Sequence, residues 1–133
     1  MPRATGPFDV SLKPLTMDSD QGSESLGRMS IEKQFRGDLE GTSKGQMLTG
    51  GTAIKNSAAY VAIERVTGSL KGRKGSFILQ HTGLMNRGAP SLVITVVPDS
   101  GTDQLEGLKG SMTINIEAGK HSYQLDYTLA DPG

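Results

Sequence analysis

The sequence predicts an all-β protein folded as a closed eight-stranded antiparallel meander barrel. Segments of alternating apolar and polar residues follow one another, separated by short stretches rich in glycine. A phrase of leucine, charged residue and glycine, closed by a second glycine, occurs three times, at 37–45, 68–75 and 103–110. Glycine is frequent, at 18 residues, without collagen periodicity. Recurring glycine turns are typical of hairpin-built barrels, in which closure removes exposed sheet edges.

The N-terminal part of the chain predicts two strands and a loop. Phe8–Leu12 alternates and predicts a first strand, which the flanking Pro7 and Pro14 place at an edge or an end of the sheet. Residues 16–25 are polar and acidic without periodicity, which predicts a mobile loop. Residues 28–36 favour a strand over a short helix, because the period-of-two match is the longer one. One face of that strand carries Met29, Ile31, Lys33 and Phe35.

The middle of the chain carries the strongest strand signal. The first glycine phrase predicts a turn at 37–45, and residues 57–70 then alternate cleanly. The second phrase predicts a hairpin that turns at Gly72-Arg73 and leads into a strand at 76–85. Residues 57–70 give the clearest strand prediction in the chain.

The C-terminal part completes the predicted barrel. Residues 91–97 are apolar on both faces, which predicts burial on both sides and, because only one side can face the barrel interior, a homo-oligomer. The other strands and turns of this part are predicted at 86–90, 98–102, 111–117, 118–120 and 121–130.

Length, composition and charge limit the classes of function. A chain of 133 residues predicts one domain, 1–133, and the absence of cysteine excludes disulfides, thiol nucleophiles and thiolate metal sites. Lys+Arg and Asp+Glu both number 14, which argues against general nucleic-acid binding. No apolar stretch is long enough for a signal peptide or a membrane span. We therefore expect a cytoplasmic protein without nucleic-acid or membrane partners.

Several phrases taken together resemble a bacterial domain-of-unknown-function family. They are QFRGDLEGTSKGQML, YVAIERVTGSLKGRKGSFILQH, VVPDSGT, LEGLKGSM and GKHSYQLDYTL, and the resemblance runs from about Phe8 to Leu129. It implies a barrel similar to that of allene oxide cyclase, a closed eight-stranded meander related in shape to the lipocalins. It implies no catalytic residue and no cofactor, since likeness of fold does not transfer function.

Glu64 and His81 are the first candidate site residues. If the second hairpin turns at Gly72-Arg73, they lie opposite each other on the face that also carries Tyr60, and this apolar face is expected to line the barrel interior. There the pair could act as an acid–base couple or orient a polar ligand group. A structural pair at the barrel mouth, or a histidine satisfied by a backbone group, is the alternative.

Further ligand-binding candidates depend on which strand face points inward. Arg65 and Gln80 face each other on the opposite side of the same hairpin, and if the faces are reversed, Arg65 becomes the natural binder of a carboxylate. Tyr60 and Tyr123 could stack on a ligand, or could fill a barrel end with the hydroxyl in water.

Two other patterns do not support a site. The two histidines, His81 and His121, lie on separate strands without H-x-H spacing, so no metal or other cofactor is predicted. Residues 41–45 match G-x-S-x-G, but that motif requires a strained strand-to-helix turn in a larger α/β fold.

Three functions are compatible with this sequence. The first is non-enzymatic binding of a small apolar or amphipathic molecule inside the barrel, and it is favoured over catalysis. The second is an isomerase or cyclase of low catalytic demand, which requires Glu64 and His81 within about 3 Å of each other. The third is a structural or interaction protein whose barrel is filled by side chains such as Phe35, Phe77, Leu79, Met85 and Met112.

Overall fold

The computed structural model describes residues 2–15 and 26–130 and shows a closed antiparallel barrel. Its eight strands are Arg3–Leu15 (β1), Leu26–Phe35 (β2), Leu39–Gly51 (β3), Ala58–Leu70 (β4), Arg73–Asn86 (β5), Ala89–Val96 (β6), Lys109–Glu117 (β7) and Lys120–Thr128 (β8). Each strand pairs with the next, and β8 pairs with β1, which confirms the predicted fold class. The predicted loop at 16–25 lies outside the described residues. Within the described ranges, no helix is long and apolar enough to cross a bilayer.

The two ends of the barrel differ in how they are filled. At the closed end, where β4 turns into β5, the interior is packed with buried apolar side chains, which include Phe35, Phe77, Leu108, Leu125 and Tyr127. At the open end, where β5 turns into β6, inward-facing side chains stay exposed. Leu12, Met85, Leu92 and Ile116 each expose at least 40% of their surface there. The barrel is therefore filled in one half only, and Met85 does not help to fill it.

The three glycine phrases do not form three equivalent turns, contrary to the prediction. Most of the first phrase lies inside β3, because the chain has already turned at 36–38, where Gly37 has a φ of 95°. The second phrase forms the β4–β5 hairpin, and the third contains a short 3₁₀ helix, Asp103–Leu105. The leucines of the three phrases nevertheless lie at the same end of the barrel. Leu39, Leu70 and Leu105 are all fully buried at the closed end.

The β4–β5 hairpin turns one residue earlier than predicted. Lys71 and Gly72 form the two-residue turn, with φ values of 46° and 86°, as a tight hairpin requires. His81 consequently pairs with Ala62 rather than with Glu64. Because this register differs from the predicted one by two residues, every side chain keeps its predicted face.

β1 is longer than predicted and is not an edge strand as a whole. Arg3 to Phe8 pairs with β8, and Phe8 to Leu15 pairs with β2. Pro7 lies outside the β2 ladder and Pro14 outside the β8 ladder. Each proline therefore lies where β1 is paired on one side only, which is the position that a missing N–H tolerates.

β6 alternates between the interior and the outer surface of a single chain. Ile94 and Val96 are buried, whereas Val93 is 59% exposed, so the prediction of burial on both sides is wrong within one copy of the protein. β6 also has the shortest ladder in the barrel on its β7 side, where the only pairs are Ile94 with Met112 and Thr95 with Ser111.

Candidate functional site

Three ionisable side chains meet in the middle of the barrel, and we call them the lumen cluster: Lys33 of β2, Glu64 of β4 and His81 of β5. The Nζ of Lys33 donates a hydrogen bond to Oε2 of Glu64 at 2.8 Å. His81 Nε2 lies 2.5 Å from the same oxygen. Glu64 is completely buried, and Lys33 and His81 are nearly so. Charged groups this deep are rare unless they are paired, as they are here.

Strand parity and one glycine bring the cluster together. Each member occupies an inward position between apolar neighbours on its own strand, as Lys33 does between Ile31 and Phe35. β3 separates Lys33 from Glu64, and Gly45 is the β3 residue that pairs with Glu64. A Cβ at position 45 would lie 2.6 Å from Glu64 Cα and 2.8 Å from Glu64 Cβ. Lys33 can reach Glu64 because Gly45 has no side chain between them.

The cluster keeps Glu64 ionised. Burial alone raises the pKa of Glu64, but the hydrogen bond from His81 and the charges of Lys33 and His81 outweigh it and lower the pKa to about 2. A carboxylate only accepts hydrogen bonds, so the proton of the His81–Glu64 bond belongs to Nε2 of His81. Glu64 therefore fixes the orientation of the His81 ring and keeps a proton on its Nε2.

Two buried oxygens of this layer have no hydrogen-bond partner among the described residues: Oε1 of Glu64 and Oγ of Ser43. Ser43 lies on β3 between Lys33 and Val66 in the register. Buried oxygens without partners are costly and are few in native proteins. The ammonium of Lys33 also lies 5.3 Å from the ring centre of Phe8 and 5.8 Å from that of Phe35. Cation–π attraction adds to the ion pair in holding the ammonium in place.

A cavity of about 190 Å³ lies on the open side of the cluster. Its polar lining residues are Lys33, Tyr60, His81 and His121, and its apolar lining includes Phe8, Ile31, Met47, Leu92, Ile114 and Ile116. An open depression of about 660 Å³ at the barrel mouth shares Met47, Tyr60 and Leu92 with this cavity. Burial and the Glu64 charge raise the pKa of Tyr60, so its hydroxyl stays protonated at neutral pH. A polar floor under an apolar opening suits an amphipathic guest.

The structure separates the candidates that the sequence predicts. Glu64, His81 and Tyr60 face the barrel interior, between the packed core of the closed end and the open end. Arg65 and Gln80 are exposed on the outer surface, so the reversed arrangement of faces is wrong.

Tyr123 lies at the closed end, away from the cavity. Its hydroxyl donates a hydrogen bond to the carbonyl of Arg36 at 2.7 Å and accepts one from the N–H of Leu39 at 2.9 Å. Its position is explained by holding the β2–β3 turn in place, and a ligand in the cavity would not contact it.

Lys33 and Ser43 are members of this layer that the sequence prediction missed. Lys33 interrupts an otherwise apolar strand face, and that interruption was the available signal. Ser43 belongs to the G-x-S-x-G match, but it lies inside a strand rather than at a strand-to-helix turn, in agreement with the rejection of that motif. Among the described residues, no group of three His, Cys, Asp or Glu side chains is placed to hold a metal ion.

Comparison with other proteins gives one consistent result. The sequence profile of the family described as "Protein of unknown function (DUF3224)" matches residues 4–127. The structure is similar to the crystal structure of a protein with unknown function from the DUF3224 family of Shewanella oneidensis MR-1. The two are 47% identical over 98% of each chain, with a TM-score of 0.92. No curated protein matches this chain. The predicted resemblance to a bacterial family of unknown function is confirmed, and the likeness to allene oxide cyclase stays a prediction.

Proposed function

We propose that this chain, which belongs to the DUF3224 family of proteins of unknown function, binds a small apolar or amphipathic molecule in the open half of its barrel. One observation carries the proposal. Inward-facing apolar side chains remain exposed at the open end, directly above a layer of buried polar groups. A barrel that served only as a filled scaffold would bury those side chains, as the closed end does. Leaving them exposed costs stability, and a bound guest would recover it.

Native mass spectrometry of the protein purified from its own host tests this proposal. We expect a small molecule that is retained under gentle conditions and lost on denaturation. Leu92→Trp would add bulk to a residue that lines both the cavity and the mouth, and we expect it to reduce the bound fraction. Thr113→Trp, on the outer surface of β7, is the matched control and should bind normally. A ligand-free wild-type protein would count against the proposal and favour the interaction-protein alternative.

A second function, acid–base catalysis, is favoured by the 2.5 Å contact between Glu64 and His81. In an acid–base couple both side chains would exchange protons with the substrate, but the geometry here gives Glu64 and His81 different roles. A general acid or base works best when its pKa lies near the operating pH, and the pKa of Glu64 is about 2. In this alternative, His81 is the base and Glu64 orients it. Turnover of the recovered molecule by the wild type, and not by His81→Asn, would establish an enzyme, whereas an unchanged molecule would leave binding alone.

We further propose that the protein is a homo-oligomer that associates through the outer surface of β3–β6. Three successive rows across these strands contain no charged residue, and we call them the uncharged outer face. They are Gly50–Ala59–Leu84–Ser91, Leu48–Val61–Thr82–Val93 and Gln46–Ile63–Gln80–Thr95. Leu48, Val61, Ile63, Leu84 and Val93 each expose half or more of their surface. From ordinary strand spacings this face covers roughly 400 Å².

That area is about half of the 800 Å² that each partner buries in a standard dimer interface. The uncharged outer face would form the apolar centre of such an interface, with polar residues around it. The mass of the protein in solution tests the proposal. Light scattering at micromolar concentration should give a multiple of the 14.1 kDa chain mass. Val61→Lys should give the single-chain mass, and Ser11→Lys, on the outer surface of β1 across the barrel from β5, should not. A wild-type protein with the single-chain mass would contradict the oligomer.

The cytoplasmic location predicted from the sequence also remains part of the proposal. A reducing compartment suits a sequence without cysteine. Fractionation of the host cells, with the protein detected by antibody, would test it, and recovery from the culture medium would contradict it.

A further inference from the structure

Two of the polar groups that line the cavity have hydrogen-bond donors for a guest, namely the ammonium of Lys33 and the hydroxyl of Tyr60. The imidazoles of His81 and His121 complete the polar lining, and the Nε2–H of His81 is already bonded to Glu64. Among the described residues, no acidic side chain lines this cavity. Glu64 lies behind Lys33 and His81 and is completely buried. The cavity therefore presents donors to a guest and keeps the balancing negative charge out of reach.

Lys33 retains donor capacity after its ion pair is made. An ammonium has three N–H groups, and the hydrogen bond to Glu64 uses one of them. Its position is held by that bond and by the rings of Phe8 and Phe35. A donor that is already ordered loses little entropy when it binds a ligand. An anionic oxygen is the group that gains most from such a donor, because charge-assisted hydrogen bonds are the stronger kind.

We propose that the guest of the barrel is an amphipathic monocarboxylate whose carboxylate is bound by Lys33, with its hydrocarbon part directed toward the barrel mouth. This inference rests on the proposed function and names the ligand class. The cavity volume equals that of about six water molecules in the liquid. It holds a head group and the first carbons of a chain, while the apolar mouth covers the remainder. We infer a ligand with a single charged group, because the mouth is lined mainly by apolar residues and glycine, and its described residues offer no partner for a second charge.

Glu64 is a positioning residue in this arrangement. Its Oε2 atom holds both Lys33 and His81, and its charge offsets that of Lys33 when the cavity contains no guest. A buried cation without a partner would be strongly destabilising. Replacing Glu64 with glutamine removes the negative charge behind the cavity but retains a hydrogen-bonding side chain. The carboxylate of the guest then becomes the only anion near Lys33, and its affinity should rise rather than fall.

A matched series of octanoate, 1-octanol and octylamine tests the ligand class, because the three share a hydrocarbon chain and differ in the head group. The protein contains two histidines, and both line the cavity, so every imidazole signal in its NMR spectrum reports on this site. We expect octanoate to shift both imidazole signals and to bind about tenfold more tightly than octanol, the usual margin of a charged hydrogen bond. Octylamine should bind most weakly.

Variants then test the contact with Lys33. Lys33→Gln should lower the affinity for octanoate about tenfold and leave that for octanol unchanged, whereas Lys44→Gln, on the outer face of β3, should alter neither. Should Lys33→Gln fail to fold, Glu64→Gln provides the independent test, and it should bind octanoate at least as tightly as the wild type. Equal binding of octanoate and octanol would overturn the carboxylate assignment and leave the proposed site intact. No binding of any probe, together with a ligand-free protein from the host, would overturn both.

Discussion

Replacing Glu64 with glutamine should remove a pH-dependent part of the stability of this protein. The pKa of Glu64 is lowered from its ordinary 4.5 to about 2 in the folded protein. A carboxyl with a lowered pKa contributes stability that is fully present above its unfolded value and is lost as the pH falls through the folded value. The difference between 4.5 and about 2 corresponds to about 3 kcal/mol. The wild type should lose this amount between about pH 6 and pH 2.

The assay is urea unfolding followed by circular dichroism, since the protein has no tryptophan. Other carboxyl groups also titrate in acid, so the informative quantity is the difference in unfolding free energy between the wild type and Glu64→Gln. That difference should be largest at neutral pH and should shrink by about 3 kcal/mol at about pH 2. Glu32→Gln, an exposed neighbour of Lys33, is the control and should follow the wild type throughout. A difference that stays constant from neutral to acid pH would refute the reasoning.

Three further substitutions test how the barrel is built, each by urea unfolding at neutral pH. Gly45→Ala should cost about 2 kcal/mol or more, because the added methyl group overlaps the backbone of Glu64, and an unchanged stability would contradict the close approach of β3 and β4. Tyr123→Phe should cost about 1–3 kcal/mol, because it removes hydrogen bonds to the backbone of Arg36 and Leu39. Leu105→Ala should lower the unfolding free energy by about 2–5 kcal/mol, because Leu105 is fully buried in the core of the closed end. Leu92→Ala, at the open mouth, should cost much less, and equal losses at the two positions would show that the two ends are filled alike.

The sequence predicted the faces of the strands better than their turns. Alternation placed Tyr60, Glu64 and His81 inside and Arg65 outside, because the period of two follows from the geometry of a strand. The turn between β4 and β5 was predicted one residue late, yet both registers keep the same parity, so the interior residues did not change.

The first glycine phrase shows where sequence reasoning reached its limit. Gly41 and Gly45 look like turn residues, but they lie inside β3, where an added Cβ would meet the backbone of β4. Their role depends on a neighbouring strand that is distant in sequence, and no local pattern records it. Lys33 was missed for the same reason. Its partner, Glu64, is reached across β3, and that contact requires the registers of three strands to be known together.

The short ladder between β6 and β7 is the weakest line in the wall of the barrel. Everywhere else the wall is joined by longer runs of paired backbone, but here only Ile94 and Thr95 connect the two strands. Separating these two strands would break fewer hydrogen bonds than separating any other neighbouring pair. We therefore expect local opening of the wall to occur here first. The mouth-side half of β6, which carries Leu92, is bonded through β5 alone. An opening between β6 and β7 would give a bulky ligand a second way into the cavity, beside the mouth.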